Sequence, residues 1–154
     1  MKHLTSEAAG LDPVDARLIR ELDRDARQPV SALARAVGMS GPAVAERLRR
    51  LETAGILKGF SAEIEPRALG YALSAMVRIR PLPGKLHLVE RLIDACPQIV
   101  ECHKITGDDP FLARMVVRSV EEMDGVLESL CEHAVTSTSV IKSHAVRRRL
   151  PPLD

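Results

Sequence analysis

The stretch LARAVGMSGPAVAERLRRLETAGIL, residues 33–57, has the pattern of two helices joined at a glycine. Apolar residues recur at helical spacing up to Gly38, and glycine suits the left-handed residue that ends a helix. Val44, Leu48 and Leu51 then lie at i, i+4 and i+7, which predicts one buried stripe. Such a unit is either plain helical core or a helix-turn-helix whose second helix lies in the major groove of DNA.

The residues before this stretch predict a first helix and the start of the second. Asp12 can cap a helix that has Pro13 at its first position, and Asp15 favours the positive end of the same helix. The helix fades before Pro29, and we expect the second helix to begin at Ser31. Together with residues 33–57 this predicts a three-helix unit.

The third helix has its own start and stop signals. Ser40 can cap it, and Pro42 fits its first turn, where a missing N–H costs nothing. Gly55 is expected to end the helix, and residues 56–64 are predicted to form a short strand that leads out of the unit.

After Glu65-Pro66 the apolar spacing changes from about 3.6 residues to two, which indicates strands. The remaining chain predicts a β-α-β-β-α-β order, a ferredoxin-like arrangement with both helices on one sheet face. The predicted strands are residues 71–80, 99–106, 111–118 and 136–146, and the predicted helices are residues 86–95 and 120–133. On the other face, Ala72 and Met76 predict an apolar surface that a second copy of the chain would cover.

The predicted fold class is therefore α+β. A three-helix helix-turn-helix domain spans residues 1–64, a short strand or linker spans residues 65–70, and a ferredoxin-like domain spans residues 71–154. A chain of 154 residues has room for two small domains of this kind.

Composition excludes several classes of partner. Aromatic residues make up only 2% of the chain, too few for the stacking platforms that bind single-stranded nucleic acid. The net charge is +1, so any contact with nucleic acid must come from a local patch. No apolar run approaches the ~20 residues that cross a bilayer, and the first residues lack the apolar stretch of a signal peptide. We expect a cytoplasmic protein without a membrane partner.

The cysteines indicate a reduced compartment and no metal site. Cys96, Cys102 and Cys131 form no C-x-x-C pair, and their number is odd. Cys102 and His103 are adjacent on a predicted strand, so they point to opposite faces and cannot share one ion. We expect neither a metal nor a cofactor.

The exposed side of the third helix carries the candidate DNA contacts. Arg47 is the best candidate for a base-edge contact, because arginine pairs bidentately with guanine. Arg49 and Arg50 suit phosphates, as do Ser40 and the helix N-terminus. From spacing alone, a merely solvated arginine face stays an alternative. The full candidate set is Ser40, Gly41, Pro42, Ala43, Glu46, Arg47, Arg49 and Arg50.

Residues 11–66 resemble the N-terminal domain of the Lrp/AsnC (feast/famine) transcriptional regulators. LD-x-x-D, the DAR after the first helix, MS before the third helix and RLRRLETAGIL fall in the family's order, and the β-α-β-β-α-β half resembles the family's ligand-sensing domain. The resemblance implies a sequence-specific regulator of double-stranded DNA, associated with the nucleoid and tuned by a small effector, commonly an amino acid. It also implies dimers that pair through their sheets and assemble into tetramers or octamers.

The resemblance further implies two effector-binding segments: Thr106, Gly107, Asp108 and Asp109, and then Thr136, Ser137 and Thr138. A carboxylate could hold an ammonium group, and hydroxyls could hold the effector's carboxylate. An ordinary hairpin turn and an ordinary polar strand are the structural alternatives. Many family members have an aromatic residue and an aspartate where this chain has Asp109 and Pro110, so the usual effector cannot be carried over.

Two rival functions use the same architecture. Siroheme decarboxylases resemble it but need a tetrapyrrole pocket with converging titratable groups, for which His103 and His144 are the candidates. The scarcity of aromatic residues and the basic third helix argue against an enzyme, and we predict no catalytic residue. The other rival is a metabolite sensor that does not bind DNA.

Overall fold

The computed structural model describes residues 11–153. Contacts divide the chain into two compact units. The described part of the first unit is residues 11–62 together with residues 147–153, and the second unit is Glu63–Val146. The chain thus enters the second unit close to the expected linker at residues 65–70, and it returns to the first unit for its last residues.

The first unit contains three helices around a small apolar core. They are α1 (Pro13–Arg24), α2 (Val30–Val37) and α3 (Gly41–Thr53). The buried core residues are Leu18, Leu22, Leu33, Ala34 and Val44. Leu51 is also buried, whereas Leu48 is partly buried and packs against the core, as the predicted stripe requires.

The helix boundaries follow the capping residues. The Asp12 side chain accepts from the backbone N–H of Asp15 at 2.8 Å. Ser40 accepts from the backbone N–H of Ala43 at 3.4 Å. Gly38 ends α2 in the left-handed region, with φ of 69°, where a side chain would be strained. The predicted caps at Asp12 and Ser40 and the predicted helix end at Gly38 are therefore confirmed.

Two local predictions for the first unit are wrong. Helix α2 begins at Val30, one residue before Ser31, because Pro29 at the N-cap already has a φ close to that of a helix. Residues 56–64 form turns and irregular chain rather than a strand. A strand needs a hydrogen-bonded neighbour, and none pairs with this segment within the described chain.

The second unit has the predicted β-α-β-β-α-β order, after a single 3-10 turn at Pro66–Leu69. Its elements are β1 (Leu73–Pro81), α4 (Leu86–Asp94), β2 (Ile99–Lys104), β3 (Phe111–Val117), α5 (Val120–Cys131) and β4 (Ala134–Val140). The sheet order is β2-β3-β1-β4, and each neighbouring pair is antiparallel. The predicted α+β class is confirmed.

Strand β4 is shorter than predicted and begins earlier. It starts at Ala134 rather than at residue 136, and it ends at Val140 rather than at residue 146. Val140 pairs with Ala75, near the first residue of β1. Beyond that point only Ser74 and Leu73 of β1 remain, and after the Ile141 N–H has donated to the Ser74 carbonyl at 2.8 Å the chain leaves the sheet.

The two sheet faces differ in polarity. The helix-covered face holds the buried core, in which Ala75, Val77 and Ile79 of β1 pack beside Phe111, Ala113 and Met115 of β3. On the outer face Met76 lies opposite Arg114, and Arg78 lies opposite Leu112. The outer face is therefore mixed, more polar than Ala72 and Met76 alone predict. Among the described helices, none is long and apolar enough to cross a membrane.

Candidate nucleic-acid interface and effector site

Helix α3 presents a charged side and an open N-terminus. Val44 and Leu51 are buried, whereas Glu46 and Arg49 are exposed on the opposite side. The first turn of α3 carries no acidic side chain, so no carboxylate offsets the partial positive charge of its N-terminal N–H groups. An anion such as a DNA phosphate is favoured at this position.

A buried carboxylate on α1 holds two arginines of α3. Asp15 is 2% exposed, and its Oδ1 accepts from Nη1 of Arg47 at 2.8 Å. Its Oδ2 accepts from Nη2 of Arg50 at 2.7 Å. Nη1 of Arg47 also donates to Oδ2 of Asp12 at 2.5 Å. We call Asp12, Asp15, Arg47 and Arg50 the α1–α3 ion cluster.

Hydrogen bonds within the α1–α3 ion cluster shift the pKa values of Asp12 and Arg47. The backbone N–H of Asp15 and then the guanidinium of Arg47 lower the pKa of Asp12 below its ordinary value. Hydrogen bonds from Asp12 and Asp15 raise the pKa of Arg47. Both effects favour the charged forms, so the ion pairs hold across the neutral pH range.

The α1–α3 ion cluster pairs Arg47 with α1, which the spacing along α3 did not predict. Its side chain is only 23% exposed and is held against α1, whereas a bidentate contact with guanine requires a free guanidinium edge. The sequence of α1 contains a feature that indicates this pairing, because Asp15 lies on the same buried side as Leu18 and Leu22. A buried acid on an apolar stripe needs a cation from the neighbouring helix.

Arg49 and Arg50 remain accessible at the surface of α3. Arg49 pairs with Glu46 at 2.6 Å, and the two side chains are 69% and 65% exposed. Water and salt screen such an exposed pair, so Arg49 can leave it for a phosphate at little cost. Arg50 keeps a side chain that is 60% exposed although it bonds to Asp15.

The two candidate effector segments lie at one end of the sheet. Ile79, near the end of β1, pairs with Phe111 on one side and with Thr136 on the other. The turn at residues 106–110 leads directly into Phe111 and is closed by the Ile105 N–H, which donates to the Pro110 carbonyl at 2.9 Å. Because adjacent strands are about 4.8 Å apart, the segments begin roughly 10 Å from each other.

The residues within these segments do not all point the same way. Thr136 and Thr138 are partly buried in register with Ile79 and Val77, whereas Ser137 lies on the outer face opposite Arg78. In the turn, Thr106, Gly107 and Asp108 are exposed, and Asp109 is partly buried.

Arg80 is a residue that the sequence analysis did not single out. It lies opposite Val135 at the end of β1, between the two segments. Its Nε is 3.8 Å from Oδ1 of Asp109, a loose pair that leaves the Arg80 side chain 53% exposed. The sheet end thus combines a cation with the turn carboxylates, so groups of both charges lie at one place.

A helix-turn-helix unit with an outward-facing basic helix, joined to a ferredoxin-like unit, defines a DNA-binding transcriptional regulator with a separate ligand-binding domain. Comparisons with known proteins identify the family. Residues 11–52 match the AsnC-type helix-turn-helix domain. Residues 74–151 match the Lrp/AsnC ligand binding domain. The chain belongs to the Lrp/AsnC family.

Similar proteins cover most of the chain. The transcriptional regulator AldR of Mycolicibacterium smegmatis is 34% identical over 144 residues, which are 89% of this chain and 84% of AldR. The structure of Bacillus subtilis LrpC has a TM-score of 0.84 at 29% identity and covers 90% of this chain and 99% of its own. The feast or famine regulatory protein of M. tuberculosis, complexed with L-methionine, has a TM-score of 0.82 at 31% identity and covers 92% of this chain and 98% of its own.

Proposed function

We propose that the chain is a sequence-specific regulator whose α3 enters the major groove of duplex DNA and whose activity is tuned by an amino acid. The observation that carries the DNA half is the α1–α3 ion cluster. It fixes α3 on α1 through Asp15 and leaves the N-terminus of α3 and Arg49 facing outward. A groove-binding helix must be held in this way by the rest of its unit.

The residues of α3 have distinct proposed roles. Ser40, Gly41 and Pro42 place the helix N-terminus against a phosphate, and Arg49 and Arg50 bind phosphates of the same site. Ala43 and Glu46 face the base edges. Arg47 positions α3 through Asp12 and Asp15. We propose this role in place of the base-edge contact that spacing predicts for Arg47, because two ion pairs hold Nη1 of its guanidinium and the side chain is only 23% exposed.

The effector site that we propose lies at the sheet end formed by Asp108, Asp109, Arg80 and the start of β4. An acid of the turn holds the ammonium group, and Arg80 with Ser137, which lies on the same outer face, holds the carboxylate. The M. tuberculosis relative that was solved with L-methionine supports an amino acid as the ligand class. Asp109 and Pro110, which stand where many family members have an aromatic residue and an aspartate, change the shape and charge of this proposed site.

We further propose a homodimer that forms through the outer sheet faces and assembles into tetramers or octamers in the cytoplasm, near the nucleoid. Met76 and Leu112 are partly exposed apolar groups of that face that a second copy would cover. We propose no catalytic step, since the relatives are named transcriptional regulators. Size-exclusion chromatography with light scattering gives the oligomeric state directly.

The DNA half is tested by fluorescence anisotropy on the chain's own promoter region and on a random duplex of equal length. The proposal expects tighter binding to the promoter region, and a salt slope that falls by about 0.9 in Arg49→Gln, the loss of one phosphate contact. Arg91→Gln, an exposed arginine on α4, is the matched control. Equal affinity for both duplexes would contradict sequence-specific binding.

A further inference from the structure

The last residues of the chain lie with the DNA-binding unit although they follow the ligand-binding unit in sequence. Strand β4 ends at Val140 in the second unit, and the chain from Arg147 onward belongs to the compact first unit with α1, α2 and α3. Three consecutive arginines, Arg147, Arg148 and Arg149, begin this segment. We call residues 147–153 the basic tail.

The basic tail separates an apolar part from a charged part. Leu150 and Leu153 are partly buried, whereas Arg147, Arg148 and Arg149 are fully in the exposed class. The tail thus belongs to the first unit with its two leucines partly covered and its three arginine side chains exposed to solvent.

The three charges have no partner within the described chain. Arg24, Arg47, Arg49 and Arg50 of the first unit each form an ion pair with a carboxylate, but no described carboxylate lies within 4.0 Å of the tail arginines. Three adjacent unpaired cations repel one another, and a polyanion relieves that repulsion. The net charge of the whole chain is only +1, so three adjacent positive charges form a distinct local basic cluster.

The first unit is small compared with a DNA duplex. A unit of about 70 residues has a diameter of roughly 30 Å, less than one turn of duplex DNA. A duplex seated on α3 therefore runs past the unit's surface, with a phosphate charge every ~1.7 Å of its length. Arginine is suited to bidentate contacts with phosphate oxygens.

We propose that Arg147, Arg148 and Arg149 form a second, sequence-independent contact with the phosphate backbone beside the site that α3 reads. The proposal rests on the DNA binding proposed above and adds a site to it. It also gives the tail a defined chemical role: the arginines raise affinity for any duplex and carry no sequence preference.

The test compares the full chain with the triple variant R147Q/R148Q/R149Q on the promoter duplex and on a random duplex between 50 and 200 mM salt. Loss of three phosphate contacts lowers the slope of log Kd against log salt by about 2.7. The affinity advantage of the wild type over the variant therefore shrinks about 40-fold across this range. The ratio of the two duplexes' Kd values stays unchanged.

The matched control is R67Q/K85Q/R91Q, which removes the same charge from exposed positions of the second unit. If the slope of the control falls as much as that of the tail variant, the effect is due to net charge and the proposal is overturned. An unchanged slope in the tail variant would also overturn the proposal. Wild-type binding without preference for the promoter would remove sequence-specific regulation while leaving the tail contact standing. Wild-type protein that binds neither duplex would overturn both.

Discussion

Oδ1 of Asp15 on α1 accepts a hydrogen bond from Nη1 of Arg47 on α3 over 2.8 Å, and the carboxylate is almost completely buried. The same carboxylate binds Arg50 through its other oxygen. One acidic side chain therefore sets the position of the helix that carries the proposed DNA contacts, and several measurable consequences follow from it.

Replacing Asp15 should destabilise the first unit. The Asp15→Asn variant keeps the side-chain volume but removes the charge, so Arg47 and Arg50 lose a charged acceptor. We expect a loss of about 2 kcal/mol in the free energy of unfolding, because hydrogen bonds to charged groups are worth ~1.5–3 kcal/mol. Urea denaturation followed by circular dichroism measures it. Asp23→Asn, exposed on the same helix, is the control, and an equal loss in both variants would refute the role of Asp15.

Arg47 should affect DNA affinity without affecting sequence preference. In Arg47→Ala, α3 loses its ion pairs with Asp12 and Asp15, so we expect promoter and random duplexes to bind about tenfold more weakly, a change of ~1.4 kcal/mol in each case. Anisotropy titrations on both duplexes provide the comparison, with Arg20→Ala on α1 as the control. A fall confined to the promoter would instead restore Arg47 as a base-reading residue, since a bidentate pair discriminates by ~1–3 kcal/mol.

The contribution of Asp12 to stability should depend on pH in one direction. Its pKa is lower in the folded chain than the value of about 3.9 that an unfolded aspartate has. Its contribution is therefore complete above pH ~4 and disappears as the pH falls through the folded pKa. Asp12→Asn keeps a capping side chain but not the charge.

Thermal melts of wild type and Asp12→Asn between pH 2.5 and pH 7 test this dependence. We expect a constant difference in Tm near neutral pH and convergence of the two proteins at the acid end. A difference that grows as the pH falls would show that the folded pKa is not lowered.

Arg80 should control effector affinity. Removing its charge in Arg80→Gln leaves the effector's carboxylate without its cation, and we expect affinity to fall by about 10- to 100-fold, the equivalent of one charged hydrogen bond. Calorimetric titration with L-methionine, the ligand of the M. tuberculosis relative, is the first measurement. Arg91→Gln on α4 is the control, and unchanged affinity in Arg80→Gln would move the carboxylate site elsewhere.

Local signals in the sequence predicted most of the fold, and long-range contacts account for what they missed. Asp12, Gly38 and Ser40 act on neighbouring backbone, so the ends of α1, α2 and α3 follow from a few residues. The end of β4 depends on where β1 begins, which lies more than 60 residues away. Periodicity along one segment carries no information about that distance.

In the candidate sites, too, local sequence predicts some features and long-range contacts determine the others. The outward side of α3 follows from its buried stripe, so Arg49 is exposed as expected. The inward turn of Arg47 depends on Asp12 and Asp15, which are 35 and 32 positions away. Arg80 reaches Asp109 only because β1 and β3 are neighbours in the sheet.

The most direct test of the central claim is the affinity of the full chain for its own promoter region at about 150 mM salt, measured with each amino acid in turn. An effector-tuned regulator predicts preferential binding to the promoter over random duplex, with a Kd that one amino acid or a small group of them shifts by about 5- to 150-fold. Promoter affinity that no amino acid changes would contradict amino-acid control, and equal affinity for random duplex would contradict sequence-specific regulation.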